Sequence, residues 1–243
     1  MRIAVLADIH ANLAALEAVL KDIEAKGGVE EYWCLGDIVG YGPEPTECIR
    51  LLQQYKPVCV VGNHDLGAAG KMELSYFNPS AAEVCAWTAK TLNPVDIRYL
   101  EDLPRTAIKG DFFLAHGSPM QPVLEYVMST SVAQKNFTFF ETQFCLVGHT
   151  HVPLAFKLEG SACTSITLSE NIGLVMLGHR MIINPGAVGQ PRDGDPRASY
   201  GIYDSEGSMF RLHRVEYNIR ATQDKMMQAK MPVNLVTRLE LGK

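Results

Sequence analysis

Short apolar runs that each close on a polar cluster recur along the chain as far as residue 151. Residues 2–7 lead to Asp8-Ile9-His10, 32–35 to Gly36-Asp37-Ile38-Val39-Gly40, and 58–61 to Gly62-Asn63-His64-Asp65. Further on, 112–115 lead to His116-Gly117-Ser118, and 144–147 to Gly148-His149-Thr150-His151. Apolar runs this short, bounded by turn-forming residues, predict buried strands. Between the first two the period changes. Leu13, Leu16, Val19, Leu20 and Ile23 fall on one face of a helix over about 12–26, with Gly27-Gly28 as its stop. A second helix is expected over 46–55. Strand, polar cluster and helix in repetition predict a largely parallel sheet with its site at the strand C-termini.

Residues 66–103 turn helical and are expected to cover that site. Ser80 stands where it would cap a helix to about Leu92, and Asn93-Pro94 offers a capping side chain followed by proline at the first helical position. Strands resume at 106–109 and 112–115 around a Gly110-Asp111 turn, and a helix is expected at about 129–142. Beyond Val152 come short strands, at 154–158, 173–177, 180–184, 198–204 and 209–217, which read as a second, more antiparallel sheet. Pro232 separates two helical stretches in a tail over about 218–243. With no internal repeat or low-complexity linker, one compact domain over 1–243 is the expectation.

Composition removes several classes of function. A formal charge of -5 and a pI near 5.8 disfavour an electrostatic grip on nucleic acid, which needs clustered Lys and Arg. A small substrate held locally fits better. Asp8 and His10 interrupt the N-terminal apolar run too early for a signal peptide, and no apolar segment reaches the roughly 18 residues that span a bilayer. The six cysteines are scattered without a C-x-x-C pair and read as reduced, buried thiols of a cytoplasmic protein. Cys145, although close to His149, reads as core packing rather than as a thiolate ligand.

Asp8, His10, Asp37, Asn63, His116, His149 and His151 all follow predicted strands, so folding the sheet gathers them from most of the chain. A lone histidine after a strand is ordinarily structural, but five of the seven histidines lie in these clusters, which chance placement does not explain. The two imidazoles of Gly148-His149-Thr150-His151 diverge toward neighbouring points, which suits two metal ions better than one. Oxygen and imidazole donors without thiolate suit borderline divalent ions such as Mn, Fe, Zn, Ni or Co.

Taken in order, Asp8-Ile9-His10, Gly36-Asp37-Ile38-Val39-Gly40, Gly62-Asn63-His64-Asp65, His116-Gly117 and Gly148-His149-Thr150-His151 resemble the motifs of the calcineurin-like metallophosphoesterase superfamily. The resemblance implies an α/β fold, a four-layer αββα sandwich of two mixed β-sheets flanked by helices, with a dinuclear metal site between the sheet ends. It implies that Asp8, His10, Asp37 and His151 hold one ion and that Asp37, Asn63, His116 and His149 hold the other, Asp37 bridging. It also implies hydrolysis by a metal-bridging hydroxide, with His64 as general acid and Asp65 orienting its ring; the alternative for His64 is a packing residue.

Where related protein Ser/Thr phosphatases carry phosphate-clamping arginines after the second and third motifs, this chain has Tyr41 and Leu66, so a phosphoprotein is the less expected substrate. The loop 184–194 resembles one in small bacterial members. Its backbone N–H groups and Arg192, together with Asn63, are the expected substrate contacts; the alternative is a Gly-Pro turn with a solvated arginine. The expected activity is hydrolysis of a phosphodiester or small phosphate ester, nucleotides included. A phosphoprotein phosphatase and a DNA repair nuclease are the competing enzyme readings, the nuclease lacking a basic groove. A metal-free protein-binding scaffold is the third, and the intact ligand set argues against it.

Overall fold

In β1 (Arg2–Leu6), Ile3 and Val5 face one way and Ala4 and Leu6 the other, and all four are buried. A strand apolar on both faces needs cover on both. The computed structural model, which describes residues 1–170 and 172–243, supplies a second sheet on one side and helices on the other. The first sheet runs β3 (Val58–Cys59), β2 (Glu31–Cys34), β1, β11 (Ala198–Asp204), β12 (Met209–Val215), β9 (Leu174–Val175). The second runs β4 (Thr106–Lys109), β5 (Phe112–Ala115), β6 (Phe144–Leu146), β10 (Arg180–Pro185), β7 (Pro153–Glu159), β8 (Ala162–Thr167). β1–β3 are mutually parallel, as are β5, β6 and β10, and the remaining pairings are antiparallel.

Between the sheets Ile3, Val5, Trp33 and Leu35 meet Phe112, Leu114, Phe144, Leu146 and Ile183. Each of these large side chains contributes about 1.5–3 kcal/mol by leaving water. Outside the first sheet, α1 (Leu13–Ala25) and α2 (Pro45–Gln54) pack on Ala4, Leu6 and Tyr32. Outside the second, α6 (Thr130–Asn136) and the adjoining Phe137 and Phe140 pack on Cys145, Val147, Phe156 and Ile182. The result is the four-layer αββα sandwich. Helices α3 (Asn63–Ala68), α4 (Pro79–Thr91) and α5 (Pro94–Glu101), with a 3-10 turn at Leu74–Tyr76, form the segment expected to be a helical cover. Two further helices, α7 (Ile219–Gln228) and α8 (Val233–Leu241), pack with α4 and Tyr41 around Ala81, Val84, Met226 and Leu235. Among the described residues no helix is long and apolar enough to cross a membrane.

The structure departs from the sequence pattern in pairing and in several boundaries. The strands after Val152 do not form a sheet of their own: β9, β11 and β12 complete the first sheet, and β7, β8 and β10 complete the second. Buried on both faces for most of its length, β11 needs neighbours on both sides, but periodicity carries no information about which. The missed strand β8 is a mostly exposed edge of Ser and Thr without apolar alternation. Strand β3 stops at Cys59, because Val61 N–H turns away to the carbonyl of Pro104. Asn78, not Ser80, caps α4, and α6 ends at Asn136, where Arg180 takes up the freed carbonyls of Phe137, Phe140 and Thr142.

Candidate metal centre and active-site cavity

All seven predicted ligands meet at the C-terminal ends of β1, β2, β3, β5 and β6. Asp8, His10, Asp37 and His151 present donor atoms within 4.8 Å of one another, as do Asp37, His116 and His149. Asn63 joins the second group, with Oδ1 3.0 Å from His116 Nε2. Asp37 belongs to both. Its Oδ2 lies 3.3 Å from His116 Nε2 and 3.6 Å from His10 Nε2, and among the described residues it accepts no hydrogen bond. Its Oδ1 accepts the backbone N–H of His64 at 2.8 Å.

The imidazoles show what this arrangement requires. Each ties its outer nitrogen to a backbone carbonyl: His10 Nδ1 to Val39 at 3.1 Å, His151 Nδ1 to Gln190 at 2.6 Å, His116 Nδ1 to Leu35 at 2.8 Å and His149 Nε2 to Leu124 at 3.3 Å. Donating there fixes the tautomer and leaves the inner nitrogen as a lone pair. The inner nitrogens then face one another, His10 Nε2 3.0 Å from His151 Nε2 and His116 Nε2 3.0 Å from His149 Nδ1. Acceptor against acceptor, beside a buried carboxylate oxygen, is repulsive without a cation or a proton among them. The donor set therefore fits divalent metal.

Backbone strain is concentrated here as well. Asp8 (φ 54), His10 (φ 50), Asp37 (φ 52), His149 (φ 67) and His151 (φ 60) are all in the left-handed region. Each such residue costs about 1–2 kcal/mol, so five of them mark a constellation that the surrounding structure must hold in place. Part of that hold is visible. His10 N–H bonds Asp37 O at 2.9 Å, Gly148 N–H bonds His116 O at 2.8 Å, and Asp8 accepts His149 N–H at 3.0 Å. Gly62 is needed where it is because a Cβ there would sit 2.0 Å from Asp37 Oδ1.

Burial sets the local protonation. It raises Asp8 to about 7, with His116 opposing the rise and Asp37 adding to it. It lowers His64 to about 4 and His149 to about 3, and holds His10 and His151 well below the usual range. His116 goes the other way: burial alone would lower it, but the Asp37 carboxylate beside it raises it to about 9. For Asp37, burial alone would raise the carboxyl, yet His116 and His64 outweigh it and hold it below the usual carboxylate range. A proton on His116 can thus substitute for one cation.

His64 is buried, its ring edge-on to Phe77 (5.0 Å) and His10 (4.9 Å) and tilted against Tyr41 (4.4 Å). The expectation that Asp65 orients this ring is not met. Both Asp65 oxygens are taken by backbone donors, Val39 N–H at 3.1 Å and Gly62 N–H at 3.0 Å, and His64 Nδ1 has no partner among the described residues. Asp65 instead ties the loops after β2 and β3 together. Arg192 is not a solvated turn residue. Its guanidinium lies over the Tyr41 ring at 5.5 Å, one Nη donates to Gln190 at 2.7 Å, and its buried Nε is unpartnered among the described residues.

A cavity of about 280 Å³ opens over these groups, lined by Asp37, Asn63, His64, His149, His151 and Arg192. The expected cover adds Tyr76, Phe77 and Asn78 to its walls, and the loop after β5 adds Leu124 and Tyr126, which were not foreseen. Tyr126 lies flat on His149, with ring centroids 3.9 Å apart and planes 14° from parallel. Glu125 braces that loop by accepting from Ser118 Oγ at 2.6 Å and Asn136 Nδ2 at 2.7 Å. Neither segment, around 74–78 or 121–128, shows a regular apolar period that would have marked these residues.

This fold, with acidic and imidazole donors gathered at its strand ends, defines a metallophosphoesterase architecture. The calcineurin-like phosphoesterase superfamily domain matches residues 1–208, and the chain belongs to that family. A metallophosphoesterase of Sphaerobacter thermophilus, known from its crystal structure, is 46% identical with a TM-score of 0.91, over 100% of this chain and 99% of its own. An uncharacterized protein of Methanocaldococcus jannaschii is 38% identical over 99% of this chain and 98% of its own. A symmetrical bis(5′-nucleosyl)-tetraphosphatase of Pseudomonas putida is 38% identical over 61 residues, 24% of this chain and 21% of that protein.

Proposed function

We propose that this chain is a phosphoesterase that hydrolyses a phosphodiester or small phosphate ester with two divalent ions, drawn from Mn, Fe, Zn, Ni and Co. Asp8, His10, Asp37 and His151 would hold one ion, and Asp37, Asn63, His116 and His149 the other. The observation that carries this reading is the convergence of lone pairs on the unpartnered Asp37 Oδ2 from both sides. When bound, such a pair neutralises phosphoryl oxygens and provides a nucleophilic water at neutral pH. The chain's own groups do the rest. Arg192 lines the cavity, and its guanidinium would donate to a phosphoryl oxygen; Asn63 lines it too and would serve as both ligand and substrate contact. Phe77 and Tyr41 pack against the His64 ring where it lines the cavity.

His64 lines the same cavity and is the proton donor for the leaving oxygen. Burial lowers it to about 4, so in the absence of substrate its ring is neutral at pH 7. An anionic phosphoester beside it would raise that pKa toward the protonated form that the role requires. The 61-residue likeness to a bis(5′-nucleosyl)-tetraphosphatase supports nucleotides as candidates without carrying that enzyme's substrate across. A cytoplasmic setting belongs to this reading, supported by six unpaired cysteines, five of them buried. The net charge of -5 supports a small substrate over nucleic acid. The test is metal content measured together with hydrolysis of a chromogenic diester, before and after chelation. Bound metal with metal-dependent turnover is expected; turnover unchanged by complete metal removal contradicts the reading.

A further inference from the structure

Resting on that reading, we propose that the site selects phosphoesters carrying a flat aromatic ring of nucleobase type, and that Tyr126 and Tyr76 are its specificity residues. Tyr126 has one face pinned on His149, so its orientation is fixed by the same imidazole that the site uses. Its other face is not spent on the protein: the residue remains 49% exposed and lines the cavity. Tyr76 is 68% exposed on the 3-10 turn of the cover, and it lines the same cavity. Two large rings left wet at the mouth of a polar site bury little within the chain itself, and apolar walls beside a few convergent polar groups are how small-molecule sites fix orientation.

Arg192 and the candidate ligands offer the cavity its groups for a phosphoryl oxygen. Asn78 also lines it, and its Oδ1 is held by Ala81 N–H at 3.0 Å as the cap of α4, which leaves its Nδ2 donors for a ring nitrogen or carbonyl. A volume of about 280 Å³ is at the small end of ligand sites, suited to one ring system with its phosphoryl group rather than to a segment of protein. Stacking of a base on an aromatic side chain is worth roughly 5- to 150-fold in affinity.

The test compares the non-hydrolysable methylenephosphonate analogues of adenosine monophosphate and ribose 5-phosphate, which differ only in the base, by calorimetry on the metal-loaded chain. The wild-type chain is expected to bind the nucleotide roughly 10- to 100-fold more tightly. Tyr126→Ala should bring that ratio close to one and Tyr126→Phe should retain it, while Tyr76→Ala lowers it in part. A ratio near one in the wild type overturns the proposal, as does a ratio that survives both alanine variants. A purely structural role for Tyr126 would weaken both ligands alike and leave the ratio intact, which also counts against it. Because the readout is binding, a chain that binds as expected but hydrolyses nothing would refute the phosphoesterase reading and leave this one standing.

Discussion

The two halves of the candidate centre share Asp37 but are held differently. On one side Asp8, His10 and His151 are buried, and the two imidazoles are anchored by carbonyls of the loops after β2 and β10 at 3.1 and 2.6 Å. On the other, His149 lines the cavity as His151 does, but its outer nitrogen reaches only a 3.3 Å contact with Leu124. Leu124 belongs to a loop without regular structure, braced by Glu125 and covered by Tyr126. The first half is tied to loops that follow strands and the second to a loop that itself lines the cavity, so changes in that loop should reach the site through His149.

The largest effect is expected where the halves meet. Asp37→Asn should reduce bound metal from about two ions per chain to one at most and slow hydrolysis by roughly 10³-fold or more, corresponding to several kcal/mol of lost charge stabilisation. Elemental analysis with steady-state kinetics checks this; two retained ions with a near-normal rate would sink the bridging role. Next comes His64→Asn, which should keep both ions but slow turnover by roughly 10²- to 10⁴-fold on substrates with a basic alkoxide leaving group. Nitrophenolate departs unaided, so nitrophenyl esters should suffer much less. Equal losses on both would mean that His64 positions a group rather than donating a proton.

Glu125→Gln sharpens the contrast between the halves. Loosening the loop that presents Leu124 to His149 should weaken one metal position by roughly 10- to 100-fold and leave the other near its original affinity. A two-site calorimetric titration separates them, and an equal weakening of both would mean that the halves are not mechanically distinct. The smallest effect concerns protons. Asp8 is raised to about 7 and His116 to about 9, so in the metal-free chain both hold a proton at pH 6. Metal displaces those protons, so uptake should release them and apparent affinity should rise with pH until about 9. Titrations in buffers of different ionisation enthalpy read the release directly, and none at pH 6 would contradict it.

The same contrast explains what could be read from the sequence. Asp8, His10, Asp37, Asn63, His116, His149 and His151 were readable because each comes just after an apolar run, and parallel strands carry the residues at their C-termini to one end of the sheet. Tyr126, Glu125, Leu124 and Tyr76 were not, because irregular segments have no period and their side chains meet the site only through tertiary packing. The αββα layering was legible from local pattern together with the family resemblance. The assignment of β11 to the first sheet and β10 to the second was not, because pairing is decided by long-range burial. Asp65 was misjudged for a related reason: a carboxylate adjacent to a histidine in sequence was already committed to two backbone amides that only the folded loops bring near.

The most direct test of the shared-carboxylate account is anomalous diffraction from crystals equilibrated with Mn²⁺. Two peaks flanking Asp37 Oδ2 are expected, one among Asp8, His10 and His151 and the other among Asn63, His116 and His149. A single peak, or two peaks of which only one approaches Asp37, would contradict it.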